Sequence, residues 1–582
     1  MELHPPGCTC SRHKSKNGLD RRDFLKLGSL LSAGLGFAPG IAGFLPQDAG
    51  QEAEITRNGA VKSGKAQRIT LLHTADIHAQ LHTHDEFFWE KGQAVYKKRG
   101  GLAVLKTMLR QLKAKNPAGT LLLDGGDCFQ GGGLASLTEG QALMPLINNI
   151  GYDLILPGNW EVVYGKKMML HDLGGYNAVK ICANMWHDSA DEYQGDLIFP
   201  PYWIRVIGGV KIGFIGYNDP LTAKRQSPAY SKGIKFGQPE LNVAKYVRLL
   251  REQEQCALVL LITHMGLAQQ LGLANKPEAT GVDFILGADT HERVRTPIQG
   301  KYAQVTEPGA FGSFVAQLDI VIEDGKIKDT AYQLLDVDPE RYKPDRELTA
   351  LLDTLYAPHR DSLRKVIGTT KTPLVRYFVI ETPMDNLITD AIMWKFQPDV
   401  ALSNGFRFCP PLVPDKTTGL AEITKDYLWS MLPVNSQIKG GEATGRQIWN
   451  WLEKELENAF AHNPAKRLGG WFVRFQGMQV NFTIGQEQGK RLNWVKIGSQ
   501  PIDLNKTYRL AACERDGDPE DVLCRLEGVQ KPALLGVLLH DVMESYLAEH
   551  SPVAPVLEGR ATATDAAGTL LTQLEGYGYA FR

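Results

Sequence analysis

Neither sign of charge dominates this 582-residue chain: 64 Lys and Arg stand against 65 Asp and Glu, a formal net charge of −1. A polyanion-binding protein needs a strongly basic face, so a dedicated binder of nucleic-acid polymers is excluded. An acidic disordered chain is excluded by the same balance. Cysteine is scarce, eight in all and scattered, which excludes a disulfide-held scaffold. Long apolar runs are scarce too. The uncharged stretch 27–44 is rich in Gly, Ala and Ser and contains Pro39, which makes it a poor permanent membrane span. Repeats and low-complexity tracts are missing. What is present is ordinary: 43% hydrophobic and 22% charged residues, the composition of a folded globular protein. At about 150 residues per domain the length allows two to four domains, each with its own core.

The N-terminus carries a targeting pattern. DRRDFLK at 20–26 precedes the apolar stretch, a basic region ahead of a modest hydrophobic one. Arg21 and Arg22 with Phe24, Leu25 and Lys26 resemble the twin-arginine export consensus. Residues 1–44 are therefore read as an export signal to the periplasm or beyond, with an N-terminal anchor if it stays uncleaved and no stable span once it is removed. Residues 45–67 are a polar linker. Substrates of that route cross the membrane folded, often with metal bound, so the resemblance implies an exported metalloprotein. Cys8 and Cys10 fall in the leader; pairing of Cys513 with Cys524 is left open by the sequence.

From Arg68 the pattern changes. RITLLHTADIH (68–78), GTLLLDGGD (119–127), YDLILPGNWE (152–161), VKIGFIGYND (210–219), CALVLLITHMG (256–266) and VDFILGADTHE (282–292) are short apolar runs that end in polar turns. Helical patterns such as 102–115 and 240–253 lie between them. Strands alternating with helices predict a layered α/β domain over 68–345. Residues 346–365 read as an amphipathic connecting helix. Residues 366–582 read as a second domain of α+β type, with helices at 386–396 and 445–460 and a strand at 471–482.

The strand ends carry the chemistry. Asp76, His78, Asp127, Asn159, His264, Asp289 and His291 are carboxylates, imidazoles and one amide, each placed where an apolar strand stops. In layered α/β folds such ends converge on one edge. A single Asp or Asn there is usually a turn former or helix cap; the recurrence is what points to metal. Mixed oxygen and nitrogen donors suit Mn, Fe or Zn, and seven ligands exceed one tetrahedral ion.

The order D-x-H, GGD, GN, H, x-x-H resembles the calcineurin-like metallophosphoesterases, and more closely the 5′-nucleotidase family of exported bacterial enzymes. LLHTADIHAQL, GGDCFQGG, THMG and MDNLITDAI carry the resemblance across both domains. It implies a four-layer β-sandwich flanked by helices, followed by a C-terminal 5′-nucleotidase-type substrate-binding domain. It implies two divalent ions, Mn first with Zn or Fe as alternatives. Asp76, His78, Asp127 and His291 would hold one, and Asp127, as the bridge, would hold the second with Asn159, His264 and Asp289. Asp289 stands where the family usually has His, and the added negative charge favours a harder ion such as Mn. Two ions activate a shared water and neutralise charge developing on the transferring group, so the implied reaction is hydrolysis of a small anionic phosphoester of nucleotide type.

Departures from the family carry information. The family continues GNHEFD, whose His and Asp form a dyad at the phosphoryl group; here GNWEVVYG puts Trp160 and Val163 in their places. Indole N–H donates a hydrogen bond but exchanges no proton near neutral pH. Loss of such acid–base help costs about 10²–10⁴ in rate, unless the leaving group is good or His82, His84 or Tyr164 substitutes. The thiosulfohydrolases of the sulfur-oxidation system are similar here, with Trp in place of the dyad His. That resemblance gives a second reading, release of sulfate from a cysteine S-thiosulfonate on a sulfur-carrier protein. A third is a metal-binding protein with decayed activity. In the second domain SNGFRF (403–408) resembles the family's N-x-G-G-x-R segment, making Asn404 and Arg407 candidates for the substrate anion. Phe475 is the candidate for stacking on a base. LPVN (432–435) resembles the family turn L-P-[FY]-x-N, and ACERDGDPED (512–521) stands near where the adenine clamp belongs.

Overall fold

The structure, a computed structural model, describes residues 66–188, 195–405, 409–463 and 466–571. The expected export signal, nearly all of the linker and Arg407 lie outside the described residues. β1 (Gln67–Thr74), β2 (Thr120–Asp124), β3 (Leu154–Ile155) and β4 (Val179–Lys180) lie side by side in parallel. A second sheet follows, built from β5 (Tyr202–Ile207), β6 (Val210–Asn218), β7 (Leu258–His264), β8 (Phe284–Leu286), β9 (Ile298–Gln299) and β10 (Gln304–Thr306), in the order β9-β10-β8-β7-β6-β5. β11 (Phe314–Glu323) then returns antiparallel to β1, and β12 (Lys326–Asp336) completes the first sheet as β12-β11-β1-β2-β3-β4.

The two sheets share one core. Leu258, Leu260 and Ile262 of β7 join the cluster that also holds Leu71 and Leu72 of β1 and Leu121 and Leu123 of β2. Val259 and Leu261 face outward into a second cluster under the helices. A strand buried on both faces needs apolar residues at every position, which is why β7 reads as an unbroken run. Helix α1 (Leu102–Lys113) forms where the spacing predicts it, with its apolar stripe buried. The connecting segment is helical over nearly its expected length but not one helix, resuming at Arg360–Leu363 after a break. α2 (Arg346–Tyr356) is capped by the Asp345 side chain, and Pro358 then forces a 3₁₀ turn at Ala357–His359.

In the second domain β13 (Val400–Ser403), β14 (Gln437–Thr444), β15 (Arg474–Gln476), β16 (Thr507–Cys513) and β17 (Gln530–Leu538) form a sheet ordered β15-β13-β16-β14-β17. Around it lie α3 (Pro383–Phe396), started by a Thr382 cap with proline next, α4 (Gly445–Phe460), started by a Thr444/Gln447 capping box, and α5 (Leu539–His550). The strand expected over 471–482 breaks at Gly477, whose φ of +85° and close approach to the Asp399 carbonyl admit no side chain. β15 ends there, and residues Met478–Phe482 enter a separate four-stranded sheet.

A hairpin of His84–Glu90 and Gln93–Arg99 is a feature the sequence reading did not anticipate. It leaves the first ligand loop and wedges between the domains. Phe87 stacks on Tyr377 at 5.2 Å. Buried Glu86 accepts hydrogen bonds from Arg293, 2.6 Å, and from the Tyr377 hydroxyl, 2.5 Å. No helix among the described residues is long and apolar enough to cross a membrane.

Candidate metal centre and substrate cleft

All seven sequence-predicted ligand residues come together. The Nε2 atom of His264, at the end of β7, lies 3.1 Å from Asp127 Oδ2, 3.9 Å from Asp76 Oδ1 and 3.8 Å from Asp289 Oδ1. His78 Nε2 lies 3.6 Å from Asp127 Oδ2, and His291 Nε2 lies 3.5 Å from Asp76 Oδ1. The Nε2 atoms of His78 and His291 are 3.1 Å apart. Asn159 donates its amide to Asp289 Oδ1 at 2.6 Å. Two groups of ligand atoms fall within 4.8 Å of one another: Asp76 with His78 and His291, and Asp76 with Asp127 and His264. Asp76 is common to both, while Asp127 also faces His78 and His264 together.

The backbone is bent to achieve this. Asp76, His78, Asp127, Asp289 and His291 all have positive φ, between +49° and +94°. Non-glycine residues rarely occupy that region, at a cost of about 1–3 kcal/mol each. Several such residues in one centre mark a site whose geometry the fold enforces. Glycines make room for it: a Cβ at Gly158 would collide with Asp127 Oδ1, and one at Gly126, φ +97°, would sit 2.5 Å from Gly158 N.

Supporting contacts orient the donors. His78 Nδ1 meets the Gln130 carbonyl at 3.0 Å and His264 Nδ1 the Gly125 carbonyl at 2.8 Å. A carbonyl only accepts, so Nδ1 carries the proton and Nε2 points into the centre. Buried Glu161, next to Trp160, accepts from the amides of Asp127 (2.9 Å), Cys128 (2.7 Å) and Gly158 (2.6 Å), tying the GGD loop to the GNW loop. Asn218 donates to the carbonyls of Pro157 and Gly158, fixing the same turn. Neither residue was among the sequence candidates. The signal for Asn218 was its place at the end of a sixth apolar strand.

Electrostatics register an unmet demand for cations. Burial lowers the His264 pKa, but Asp127, Asp76 and Asp289 more than reverse this and hold it well above the usual range. Burial raises the Asp127 carboxyl, yet His264 and His78 bring it down to about 2. His78 is lowered to about 4, chiefly by burial. The His264 Nε2 is fully buried and faces Asp127 Oδ2 at 3.1 Å. Mixed oxygen and nitrogen donors around such an atom fit divalent transition ions.

A cleft opens on this centre. His78, Asp127, Asn159, Trp160, Asp289 and His291 line its floor, and its far wall comes from the second domain. Trp160 donates its backbone N–H to Asp127 Oδ1 at 2.7 Å. His82, His84 and Tyr164 do not line the cleft; Tyr164 keeps a buried hydroxyl whose pKa burial raises. On the far wall stand Asn404, Val434, Trp471, Asp518 and Arg376. Arg376 sets two N–H groups on Asp385, which also pairs with Arg474, so two guanidinium groups share one carboxylate behind the cleft. Cys513 and Cys524 line the wall as free thiols. Phe475 is elsewhere: it is 2% exposed and packs edge-on against Phe472 in the domain core. Its alternation on a strand was the pattern of a core residue.

Residues 69–293 match the calcineurin-like phosphoesterase family and residues 366–514 match the 5′-nucleotidase C-terminal domain. The trifunctional nucleotide phosphoesterase protein YfkN of Bacillus subtilis is 24% identical over 84% of this chain, and the match spans 34% of that protein's own length. The solved sulfate thiohydrolase SoxB of Thermus thermophilus superposes with a TM-score of 0.76 at 22% identity, over 86% of this chain and 98% of its own. A solved 5′-nucleotidase precursor, also of Thermus thermophilus, superposes with a TM-score of 0.74 at 24% identity, over 86% and 100%. At these identities the two structural likenesses establish the fold and do not choose between their activities.

Proposed function

Since the chain belongs, by both matched domains, to the 5′-nucleotidase family of calcineurin-like metallophosphoesterases, we propose that it is an exported dimetal hydrolase that cleaves small anionic phosphoesters of nucleotide type. The observation that carries this reading is the convergence of seven candidate ligands, five of them in the left-handed backbone region, in one cluster whose His78, Asp127, Asn159, Asp289 and His291 line the floor of an interdomain cleft. Asp76, His78, Asp127 and His291 would hold one divalent ion and Asp127, Asn159, His264 and Asp289 the other, with Mn the preferred occupant. Such a pair supplies Lewis acidity and an activated water. The chain's own residues do the rest. His78 and His264 are held in the tautomer that presents Nε2, Glu161 keeps the ligand loops in register, and Asn404 on the far wall faces the cleft. Asn404 and Arg407 are assigned to the substrate anion. The leader is assigned to twin-arginine export.

One observation favours a second reading, a thiosulfohydrolase acting on a sulfur-carrier protein. Trp160 lines the cleft where a proton donor would serve a poor leaving group. Its indole cannot exchange a proton, which suits a leaving group that departs as a stable anion. The deciding assay offers Mn-loaded protein AMP, bis(4-nitrophenyl) phosphate and a thiosulfonated carrier peptide. Phosphate release from AMP, abolished by Asp127→Ala, supports the first reading. Sulfate release from the peptide alone replaces it with the second.

A further inference from the structure

Arg225 was not among the sequence candidates, yet it stands at the metal centre. It closes a short helical turn, Thr222–Arg225, after β6. Its Nη1 donates to Asp219 Oδ2 at 2.8 Å and to Asp289 Oδ2 at 2.7 Å. Both carboxylates are buried, and the Arg225 side chain is only 11% exposed. The next residue, Gln226, donates to Asn159 Oδ1 at 2.9 Å. One dipeptide therefore grips two members of the second ligand set, Asp289 and Asn159. The turn is also pinned to the second domain, because Arg515 donates to the Lys224 carbonyl at 2.8 Å and Ser227 to the Asp516 carbonyl.

Two features make this more than a brace. Only Nη1 is engaged: Nε and Nη2 donate no hydrogen bond among the described residues, and the side chain lines the cleft floor beside Trp160 and Asp289. And Asp289, which stands where the family usually has His, brings an extra negative charge that the guanidinium returns. The guanidinium is shared between Asp289 and Asp219, so it offsets part of their charge, and it sets a planar donor fork at the cleft. A fork held rigid by two buried carboxylates is prepared for a tetrahedral oxyanion, because its ordering cost is met before binding.

We propose that Arg225 is a substrate-binding residue of this centre, its unused N–H groups gripping the anionic group that is to be cleaved. The inference rests on the dimetal-hydrolase reading above and deepens it by placing an anion contact on the metal-bearing domain. It assigns the substrate class as tetrahedral oxyanion esters, phosphoryl and sulfuryl alike, since the fork reads the oxygens and not the central atom.

The test uses the full chain with Mn²⁺ alone and then inorganic phosphate as probes. Bound Mn per chain is measured by elemental analysis, and phosphate affinity of the Mn-loaded protein by calorimetry. Arg225→Gln should retain the wild-type Mn content and weaken phosphate binding about tenfold or more. Arg225→Lys keeps the charge, but its compact ammonium is consumed by the two carboxylates, so phosphate should again weaken, by about threefold or more. Phosphate affinity within twofold of wild type in either variant overturns the inference. So does a fall in Mn content that accounts for the whole loss, which would make Arg225 a brace for Asp289 only. Wild-type protein that binds neither Mn nor phosphate overturns the dimetal reading itself, a result distinct from both.

Discussion

The two walls of the cleft are built on different principles. The floor is made of strand ends: His264 closes a buried strand, while Asp76, Asp127 and Asp289 each follow one, set by backbone turns that only a few sequences tolerate. The far wall is made of side chains from unrelated elements, including Val434 in a loop, Trp471 before β15 and Asp518 after β16. The floor residues are the Asp, Asn and His side chains that the family resemblance implies as ligands. The wall includes Cys513, Glu514, Arg515 and Asp518, from the segment that the resemblance sets near the adenine clamp.

The largest effect should fall on the floor. Asp127→Ala removes a ligand facing both imidazoles, and hydrolysis should drop to background with loss of bound Mn, read by turnover and elemental analysis together. Retained activity would dissolve the distinction between floor and wall. The junction of the two domains comes next. Glu86→Gln removes the carboxylate of the buried pair with Arg293, which should cost about 3–5 kcal/mol in urea unfolding. Glu86 is held down to about 2, burial opposing and Arg293 and His84 prevailing, so its carboxylate is ionised throughout the physiological range.

Two further changes sharpen the account of the floor. Glu161→Gln breaks the tie between the GGD and GNW loops and should lower Mn affinity about 10–100-fold while leaving the fold intact by circular dichroism. His73, buried under the centre with neither ring nitrogen partnered, is lowered to about 3 by burial. Its folded pKa lies below the unfolded value of 6.5, so the unfolded chain takes up the proton first and stability falls as pH drops from 6.5 toward 3. At pH 5 this amounts to about 2 kcal/mol; His73→Leu should remove that part of the acid sensitivity, seen as a flatter profile of unfolding free energy between pH 7 and 5. The smallest change addresses the wall. Val434→Phe offers a base an aromatic face and should lower KM for AMP about fivefold with kcat nearly unchanged, without altering KM for bis(4-nitrophenyl) phosphate. Equal effects on both substrates would mean the wall does not discriminate bases.

What the sequence made legible follows the same division. Apolar runs ending in Asp, Asn or His located the floor, because a buried strand fixes where its last side chain points. α4 was legible to its ends, since Thr444 and Gln447 form a local capping box. Arg225, Glu161 and Glu86 were not, because each acquires its role through partners far along the chain: Asp289, the Asp127 amide and Arg293. The hairpin carrying Glu86 was missed because its two strands pack against the second domain, so their hydrophobic pattern answers to partners outside their own sheet. Phe475 failed as a base-stacking candidate for a related reason: an aromatic in a strand signals burial, and the cleft aromatic of that segment is Trp471.

The most direct test is a diffraction experiment on Mn-soaked crystals at the Mn absorption edge. The account predicts two anomalous peaks in the cleft floor, one among Asp76, His78 and His291 and one among Asp127, Asn159, His264 and Asp289. A floor without peaks, or ions bound only elsewhere, would contradict it.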